Sequence, residues 1–209
     1  MMPMNSYLVF DFETTGLDPQ RDRIIAVGLC GVTGGQVADR RGWLVNQDVQ
    51  IPPEATGVHG ITTADIRAHG LPPRESLARL LAALSTAPAC VGHNIHQFDI
   101  LFLLAESHRL GMPAPDFADF IDTAALFKGW KLNMPRDPAE NFETYTRRVL
   151  GTRAPGLKYS ISVCLQALGI QTGGSRLHDA SCDAYLTHLI FEALQKVVPS
   201  ASSHPPPTR

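Results

Sequence analysis

The sequence has few of the features that mark secreted, membrane-spanning or uniformly basic proteins. Its 209 residues include four scattered cysteines and no Cys-x-x-Cys pair, which argues against a zinc knuckle and a disulfide framework. No uncharged apolar run approaches the roughly 18 to 20 residues of a membrane helix. The formal net charge of −2 excludes a uniformly basic coat for nucleic acid. These absences predict a globular protein with buried free thiols.

The length and the two ends of the chain predict one domain without a membrane or secretion signal. Residues 1–7 show no basic region followed by an apolar stretch, so we expect a cytoplasmic location. Because 44% of the residues are hydrophobic, the chain can bury a sizeable core, and we expect a single domain over residues 1–198. The Ser- and Pro-rich residues 199–209 lack apolar periodicity and are predicted to be disordered.

The apolar pattern predicts a mixed sheet covered by helices, which is an α/β architecture. Short β-branched or aromatic runs between turn residues predict strands at 7–10, 23–32, 42–45, 89–91 and 120–123. Apolar residues at helical spacing predict helices from Pro73 onward, after Asn94, over 160–168 and over 180–198. In the helix after Asn94 the predicted buried stripe consists of Phe98, Leu101, Leu104 and Ala105.

Basic residues concentrate in one segment despite the acidic balance of the whole chain. Residues 128–158 contain seven lysines and arginines but only three acidic residues, and Trp130, Phe142 and Tyr145 lie among them. Aromatic rings between cations are typical of surfaces on which bases stack. A solvated helical insertion explains the same composition, and the sequence leaves the two interpretations open.

Two carboxylates follow the first predicted strand directly. Asp11 and Glu13 are two positions apart, so an extended chain projects both from one face. Two adjacent carboxylates repel each other unless a cation lies between them. Oxygen ligands alone suit Mg²⁺ or Mn²⁺, and the lack of a Cys or His ligand set argues against zinc. The turn at Thr14, Thr15 and Gly16 offers hydroxyls and backbone to a phosphate or sugar.

Further acid and base groups stand at the ends of other predicted elements. Asp99 follows His93 and Asn94, and His178 precedes the last long helix. A neutral histidine beside a bound water is suited to accept its proton near neutral pH. Asp179 and Asp183 are both candidate ligands at the start of that helix, and spacing alone does not choose between them.

Three of these segments, in this order, resemble the motifs of the DnaQ-like (DEDDh) 3'-5' exonuclease family of the ribonuclease H-like superfamily. They are VFDFETTGL (9–17), GHNIHQFDILFL (92–103) and HDASCD (178–183). The segments VHGIT (58–62) and GLKYSISVCLQALGI (156–170) extend the resemblance. It implies a ribonuclease H-like mixed five-stranded sheet with helices on both faces.

The resemblance also implies the roles of the site residues. Asp11, Glu13, Asp99 and Asp183 would hold two Mg²⁺ or Mn²⁺ ions, and His178 would be the general base. A water would attack the terminal phosphodiester in line and release a nucleoside 5'-monophosphate. The terminal nucleotide would be contacted by Thr14, Thr15, Gly16, His59, Ile61 and Asn94.

The role and partners of such an enzyme stay open at this point. The leading expectation is an enzyme acting on nucleic acid 3' ends, with single-stranded DNA favoured over RNA and repair as one pathway. The alternatives are a proofreading-type subunit of a polymerase complex and a non-catalytic module that binds nucleic-acid ends. Residues 128–154 are longer than the usual family linker and are expected to form a basic insertion over the scissile end.

Overall fold

The central sheet of the computed structural model begins with an antiparallel meander and ends with two short parallel strands. The structure describes residues 4–172 and 179–197. Strands β1 (Tyr7–Thr14), β2 (Ile24–Thr33) and β3 (Gln36–Leu44) pair antiparallel, while β4 (Cys90–Gly92) and β5 (Ile121–Asp122) extend the sheet in parallel from β1. The order β3-β2-β1-β4-β5 confirms the predicted mixed five-stranded sheet.

Helices connect and cover these strands. In the described part of the chain they are α1 (Pro53–His59), α2 (Thr63–His69), α3 (Pro73–Thr86), α4 (Asp99–Leu110), α5 (Thr123–Lys131), α6 (Phe142–Gly151), α7 (Ile161–Ala167) and α8 (Ala180–Val197). None of the described helices has the length and apolarity to cross a bilayer.

The alternation of side chains along β1 divides the core into two layers. Tyr7 and Val9 belong to a buried cluster with α5, α6, α7 and α8, whereas Leu8, Phe10 and Phe12 belong to a second cluster with α3 and α4. Successive residues of a strand point to opposite faces of the sheet, so these clusters lie on its two sides. This confirms the expectation of helices on both faces.

One detail of the helical prediction was wrong and another was incomplete. The sequence pattern gave no bounds for α1, α2 or α5, and it offered a helical insertion over residues 128–158, where α6 forms, as one of two interpretations. In α4, Leu101 and Leu104 are 43% and 42% exposed, whereas Ile100, Phe102 and Leu103 are buried. The long apolar run of this helix offers more than one stripe, and the contact with β1 and α3 selects the one that is buried.

The basic segment is partly folded into the core. Lys128 is 4% exposed and its ammonium donates to the carbonyl oxygens of Leu150 and Thr152, at 2.9 and 2.7 Å. Tyr145 is also buried, so neither residue belongs to an exposed stacking surface. Lys128 instead stabilises the carbonyl end of α6. The predicted tail, residues 199–209, lies outside the described residues.

Candidate active site

An open cleft of about 620 Å³ collects the acidic residues of three separate elements. Asp11 and Glu13 come from β1, Asp99 is the first residue of α4, and Asp183 lies in the first turn of α8. All four residues line the cleft. The structure therefore brings together the four carboxylates that the sequence pointed to.

Three of these carboxylates are close enough to share an ion. Single oxygens of Asp11, Glu13 and Asp183 lie within 4.8 Å of one another. Asp11 and Glu13 project from one face of β1, as their spacing predicts, and this face packs against α8. Asp99 is 3% exposed, and its Oδ1 accepts a hydrogen bond of 3.1 Å from the backbone N–H of Phe12. Asp99 is thereby held beside the strand that carries the other two.

The helix that carries Asp183 approaches the sheet unusually closely. A β-carbon at Gly28 of β2 would lie 2.0 Å from the carbonyl carbon and oxygen of Ala180. Real atoms do not approach so closely, so only glycine fits there. The absence of a side chain at Gly28 lets α8 begin against the sheet, and Asp183 then reaches β1.

The carboxylates in the cleft repel one another. Burial raises the pKa of Asp11 well above its usual range, and the charges of Asp99 and Asp183 raise it further. Burial raises the pKa of Glu13 to about 8, with Asp183 and Asp179 adding to the effect. Burial also raises the pKa of Asp99 to about 8. Such a cluster is stabilised by a cation, and its oxygen-only donors fit Mg²⁺ or Mn²⁺.

The structure separates the roles of the two aspartates that spacing left open. The Oδ1 of Asp179 accepts hydrogen bonds from the Ser181 hydroxyl at 2.8 Å and from the backbone N–H of Cys182 at 2.9 Å. Asp179 therefore caps the first turn of α8. Asp183, one turn further, lines the cleft. The expected general base, His178, lies outside the described residues.

The turn after the first carboxylates uses its hydroxyls internally. The Thr14 hydroxyl donates to the carbonyl oxygen of Gly16 at 2.6 Å, and the Thr15 hydroxyl donates to Asp22 Oδ1 at 3.0 Å. A β-carbon on Gly16 would lie 2.4 Å from the Asp22 carboxylate. These contacts fix the turn, and the expected nucleotide contact of Thr14, Thr15 and Gly16 stays a prediction.

The other expected substrate residues fall into two places. Asn94 lines the acidic cleft, has a left-handed φ of 60°, and its backbone N–H donates to Asp122 Oδ1 at 2.8 Å. His59 and Ile61 line a separate pocket of about 260 Å³ beside β2, β3 and the start of α8. The Ile61 N–H donates to His59 Nδ1 at 3.0 Å. The structure thus does not place His59 and Ile61 with the carboxylates.

One stretch of the cleft wall was missed as a functional candidate. Lys158, Ser160 and Ser162 line the cleft, although the sequence gave them no role beyond the end of a basic run and a segment that extends the family resemblance. His93 also lines it and reaches this wall, because its Nε2 donates to the carbonyl oxygen of Tyr159 at 2.7 Å. The position of His93 next to Asn94 in the sequence pointed to His93. Its contact with Tyr159, 66 positions away, cannot be predicted from spacing.

Comparisons with known proteins agree on one family. A family model described as exonuclease, of the RNase T type, matches residues 8–191. The PolC-type DNA polymerase III of Thermotoga maritima is 30% identical over 189 residues, covering 89% of this chain but 12% of that protein. The DNA polymerase III subunit epsilon of Rickettsia prowazekii is 25% identical over 90% of this chain and 72% of its own length.

Solved structures show the same fold. E. coli exonuclease I in complex with a dA16 oligonucleotide superposes with a TM-score of 0.71 at 20% identity, over 93% of this chain and 41% of that chain. Its complex with a dT13 oligonucleotide gives a TM-score of 0.70 at 20% identity. At this identity the likeness establishes the architecture.

Proposed function

The chain belongs to the RNase T-type exonuclease family, and from this premise we propose that it is a 3'-5' exonuclease. It hydrolyses the terminal phosphodiester of a nucleic acid and releases nucleoside 5'-monophosphates. The observation that carries the proposal is the cluster of Asp11, Glu13 and Asp183, whose carboxylate oxygens lie within 4.8 Å of one another in an open cleft. Few arrangements other than a divalent-ion site make such a cluster favourable.

Asp11, Glu13, Asp99 and Asp183 would hold the divalent ions, two Mg²⁺ or Mn²⁺. Bound there, the ions supply an activated water and neutralise the charge that develops on the phosphate and the leaving 3'-oxygen. The protein's own contribution is positional. The Asp99–Phe12 hydrogen bond and the close approach of α8 at Gly28 fix the ligands before substrate arrives.

His178 is assigned the role of general base by its place in the third motif. It would accept the proton of the attacking water, because the unperturbed pKa of a histidine imidazolium lies near neutral pH. In the sequence it directly precedes Asp179, the residue that caps the helix carrying Asp183.

The substrate is a free 3' end, with single-stranded DNA favoured over RNA. An open cleft with one acidic cluster accommodates an unpaired terminus without prior fraying. The solved exonuclease I complexes with dA16 and dT13 oligonucleotides support this choice. Asn94 in the cleft and the turn at Thr14, Thr15 and Gly16 are the proposed contacts of the terminal nucleotide. His59 and Ile61 are proposed to contact it from the adjoining pocket.

A proofreading-type subunit of a cytoplasmic polymerase complex is the second candidate. The sequence relatives named as DNA polymerase III subunit epsilon and as PolC-type DNA polymerase III favour it. This chain spans only 12% of the PolC-type relative from Thermotoga maritima, so polymerase association is a proposal about partners. A non-catalytic end-binding module is disfavoured, because such a module has no need of four carboxylates in one cleft.

The test is degradation of 5'-labelled single-stranded DNA and RNA of equal sequence with Mg²⁺ or Mn²⁺. Wild type should yield a ladder that shortens while the 5' label persists. Asp11→Asn and His178→Ala should lose the ladder. Asp48→Asn, which alters an exposed aspartate at a left-handed backbone position that asparagine tolerates, should keep it. Release of the 5' label as a mononucleotide would show that cleavage starts from the 5' end. Activity in Asp11→Asn would contradict the assignment of Asp11 to the active site.

A further inference from the structure

The wall of the acidic cleft contains one cationic side chain to which no role has been assigned so far. Among the lining residues in the described ranges 4–172 and 179–197, Lys158 is the only lysine or arginine. Ser160 and Ser162 line the cleft beside it, and their hydroxyl oxygens lie 3.1 Å apart. The cleft therefore combines four carboxylates with one ammonium and two hydroxyls.

Lys158 differs from Arg147 and Arg148, two other cations of the basic segment, in having no acidic partner among the described residues. Arg147 lies 2.7 Å from a Glu143 oxygen and Arg148 lies 2.8 Å from a Glu140 oxygen. Lys158 is exposed, and in the described part of the chain no carboxylate lies within 4.0 Å of its ammonium. Its charge is available to an anion from solution, because no existing ion pair has to be broken.

The backbone beside Lys158 is anchored to the sheet. His93 follows β4, and its Nε2 donates to the carbonyl oxygen of Tyr159 at 2.7 Å. His93 Nδ1 lies 2.8 Å from the Thr123 hydroxyl, which follows β5. The Cys164 thiol donates to the same Tyr159 carbonyl at 3.4 Å. The backbone from which the exposed lysine projects is thus held in place relative to the strands that form the cleft.

We propose that Lys158, with the hydroxyls of Ser160 and Ser162, binds the backbone phosphate next to the scissile one on its 5' side. The inference rests on the proposed exonuclease function and names the second phosphate that the site must hold. The four carboxylates with two divalent ions attract one phosphodiester to the metals, but their charges balance and leave no cation for the phosphate that follows it along the strand. A cation and two neutral donors in the same cleft match the charge and hydrogen-bonding needs of that next phosphate.

We therefore expect the phosphate contacts at the cleft wall and not at residues 128–154. Arg147 and Arg148 are paired with glutamates, and no residue of 128–154 is among those that line the cleft. That the insertion covers the scissile end stays a prediction. Arg153 is exposed, has no carboxylate within 4.0 Å among the described residues, and does not line the cleft. It therefore serves as the comparison for the loss of one positive charge outside the cleft: a loss of affinity in Arg153→Gln equal to that in Lys158→Gln would favour the insertion over the cleft wall.

The first measurement is the dissociation constant of 5'-fluorescein-labelled dT12 in Ca²⁺, by fluorescence anisotropy, over a series of salt concentrations. Lys158→Gln should weaken binding about tenfold at low salt and reduce the slope of log Kd against log salt by about 0.7, the contribution of one single-strand phosphate contact. Lys158→Arg should recover most of the affinity, and Arg153→Gln should stay within about twofold of wild type. Equal binding by Lys158→Gln and wild type would overturn the inference.

The second measurement compares two substrates in Mg²⁺ or Mn²⁺. The p-nitrophenyl ester of thymidine 5'-monophosphate has one phosphodiester and no neighbouring phosphate. Lys158→Gln should lose at least fivefold more in kcat/KM on dT12 than on this ester. Equal losses on both substrates would contradict a neighbouring-phosphate site, and an equal loss on dT12 in Arg153→Gln would assign the effect to the basic segment as a whole.

Failure of the two proposals can be told apart. If wild type cleaves neither dT12 nor the ester while Lys158→Gln still weakens dT12 binding, the exonuclease function is wrong and the phosphate site stands. If wild type cleaves both and Lys158→Gln matches it in binding and turnover, the function stands and the phosphate site is wrong.

Discussion

At the scale of single residues, the acidic cleft holds carboxylates whose mutual repulsion a bound cation should reduce. Asp11, Glu13 and Asp183 face one another, and burial together with mutual repulsion raises the pKa of Asp11 and Glu13. The favourable packing of the surrounding layers keeps these groups together. The fold therefore loses stability at the place where we propose that it holds its metal ions.

Mg²⁺ should raise the melting temperature of wild type and should not raise that of Asp11→Asn. A ligand at 100 times its Kd adds about 2.7 kcal/mol to the free energy of unfolding, because it binds only the folded chain. Without metal, Asp11→Asn should melt at the same temperature as wild type or higher, since one repelling charge is gone. Differential scanning calorimetry with and without Mg²⁺ tests this. An equal Mg²⁺ shift in both proteins would place the ions elsewhere.

His188 should make the fold sensitive to mild acid. It is 6% exposed, its Nδ1 lies 2.9 Å from the Tyr7 hydroxyl, and the Glu192 carboxylate also faces it. Burial lowers the pKa of His188 below the unfolded value of 6.5, despite the opposite effect of Glu192. The unfolded chain therefore takes up the proton first, and the stabilisation present above about pH 6.5 is lost as the pH falls.

His188→Gln should be less stable than wild type at pH 7.5, and a fall in pH from 7.5 to 5.5 should change the stability of wild type more unfavourably than that of the variant. Urea unfolding midpoints at both values measure the difference. The variant should keep a pH dependence of its own, because burial lowers the pKa of His93 and raises the pKa values of Glu13 and Asp99, with opposite effects on stability as the pH falls. The same pH dependence in both proteins would rule out His188 as a source.

Much of the acidic site was predictable at this scale, and its cationic wall was not. Asp11 and Glu13 share a face because a strand alternates, which is a local rule. The choice of Asp183 over Asp179 came from the resemblance of residues 178–183 to a family motif, because spacing left both open. The position of Lys158 depends on His93 contacting Tyr159, a contact between distant segments, and the pairing of Arg147 with Glu143 depends on helix α6, which the composition offered only as one of two interpretations.

At the scale of elements, the contact between α8 and β2 decides whether the site forms. Gly28→Ala should destabilise the fold by about 1 to 3 kcal/mol, since a β-carbon there meets Ala180 at 2.0 Å and the start of α8 must move. Because Asp183 moves with that helix, the Mg²⁺ concentration for half-maximal nuclease activity should rise. Chemical denaturation and a Mg²⁺ titration of activity measure the two effects.

Gly31→Ala is the matched control for this substitution. It lies on the same strand, and its β-carbon would meet nothing closer than 3.6 Å, at Asp39. Its stability should stay within about 0.5 kcal/mol of wild type, as expected for a substitution that creates no clash. Equal effects of the two alanines would show that the approach of α8 is not the cause.

The elements that were predicted are those with strong periodicity. β1, β2, α3 and α8 have clear apolar patterns, and all four were found. Helices α1 and α2 were not predicted, and each contributes little apolar surface: Ile66 of α2 is buried with Ile25 of the sheet, and Ala55 of α1 packs against the same cluster. Helix α6 carries a charged outer face, for which composition left a nucleic-acid surface and a solvated helix equally open.

At the scale of the whole molecule, the cleft depends on both layers of the fold. β1 supplies Asp11 and Glu13, α4 from one layer supplies Asp99, and α8 from the other supplies Asp183. The ligands meet only when both helical layers pack on the same strand. Metal binding should therefore be coupled to global folding rather than to one local segment.

The central claim is that this cleft removes nucleotides from 3' ends, and the first product from a strand labelled in its 3'-terminal nucleotide tests it most directly. With Mn²⁺, wild type should release the label as a nucleoside 5'-monophosphate, and Asp183→Asn should reduce the rate by at least about a thousandfold, because one ligand of the cluster is lost. Label released as a longer oligonucleotide, or a full rate in Asp183→Asn, would contradict the account.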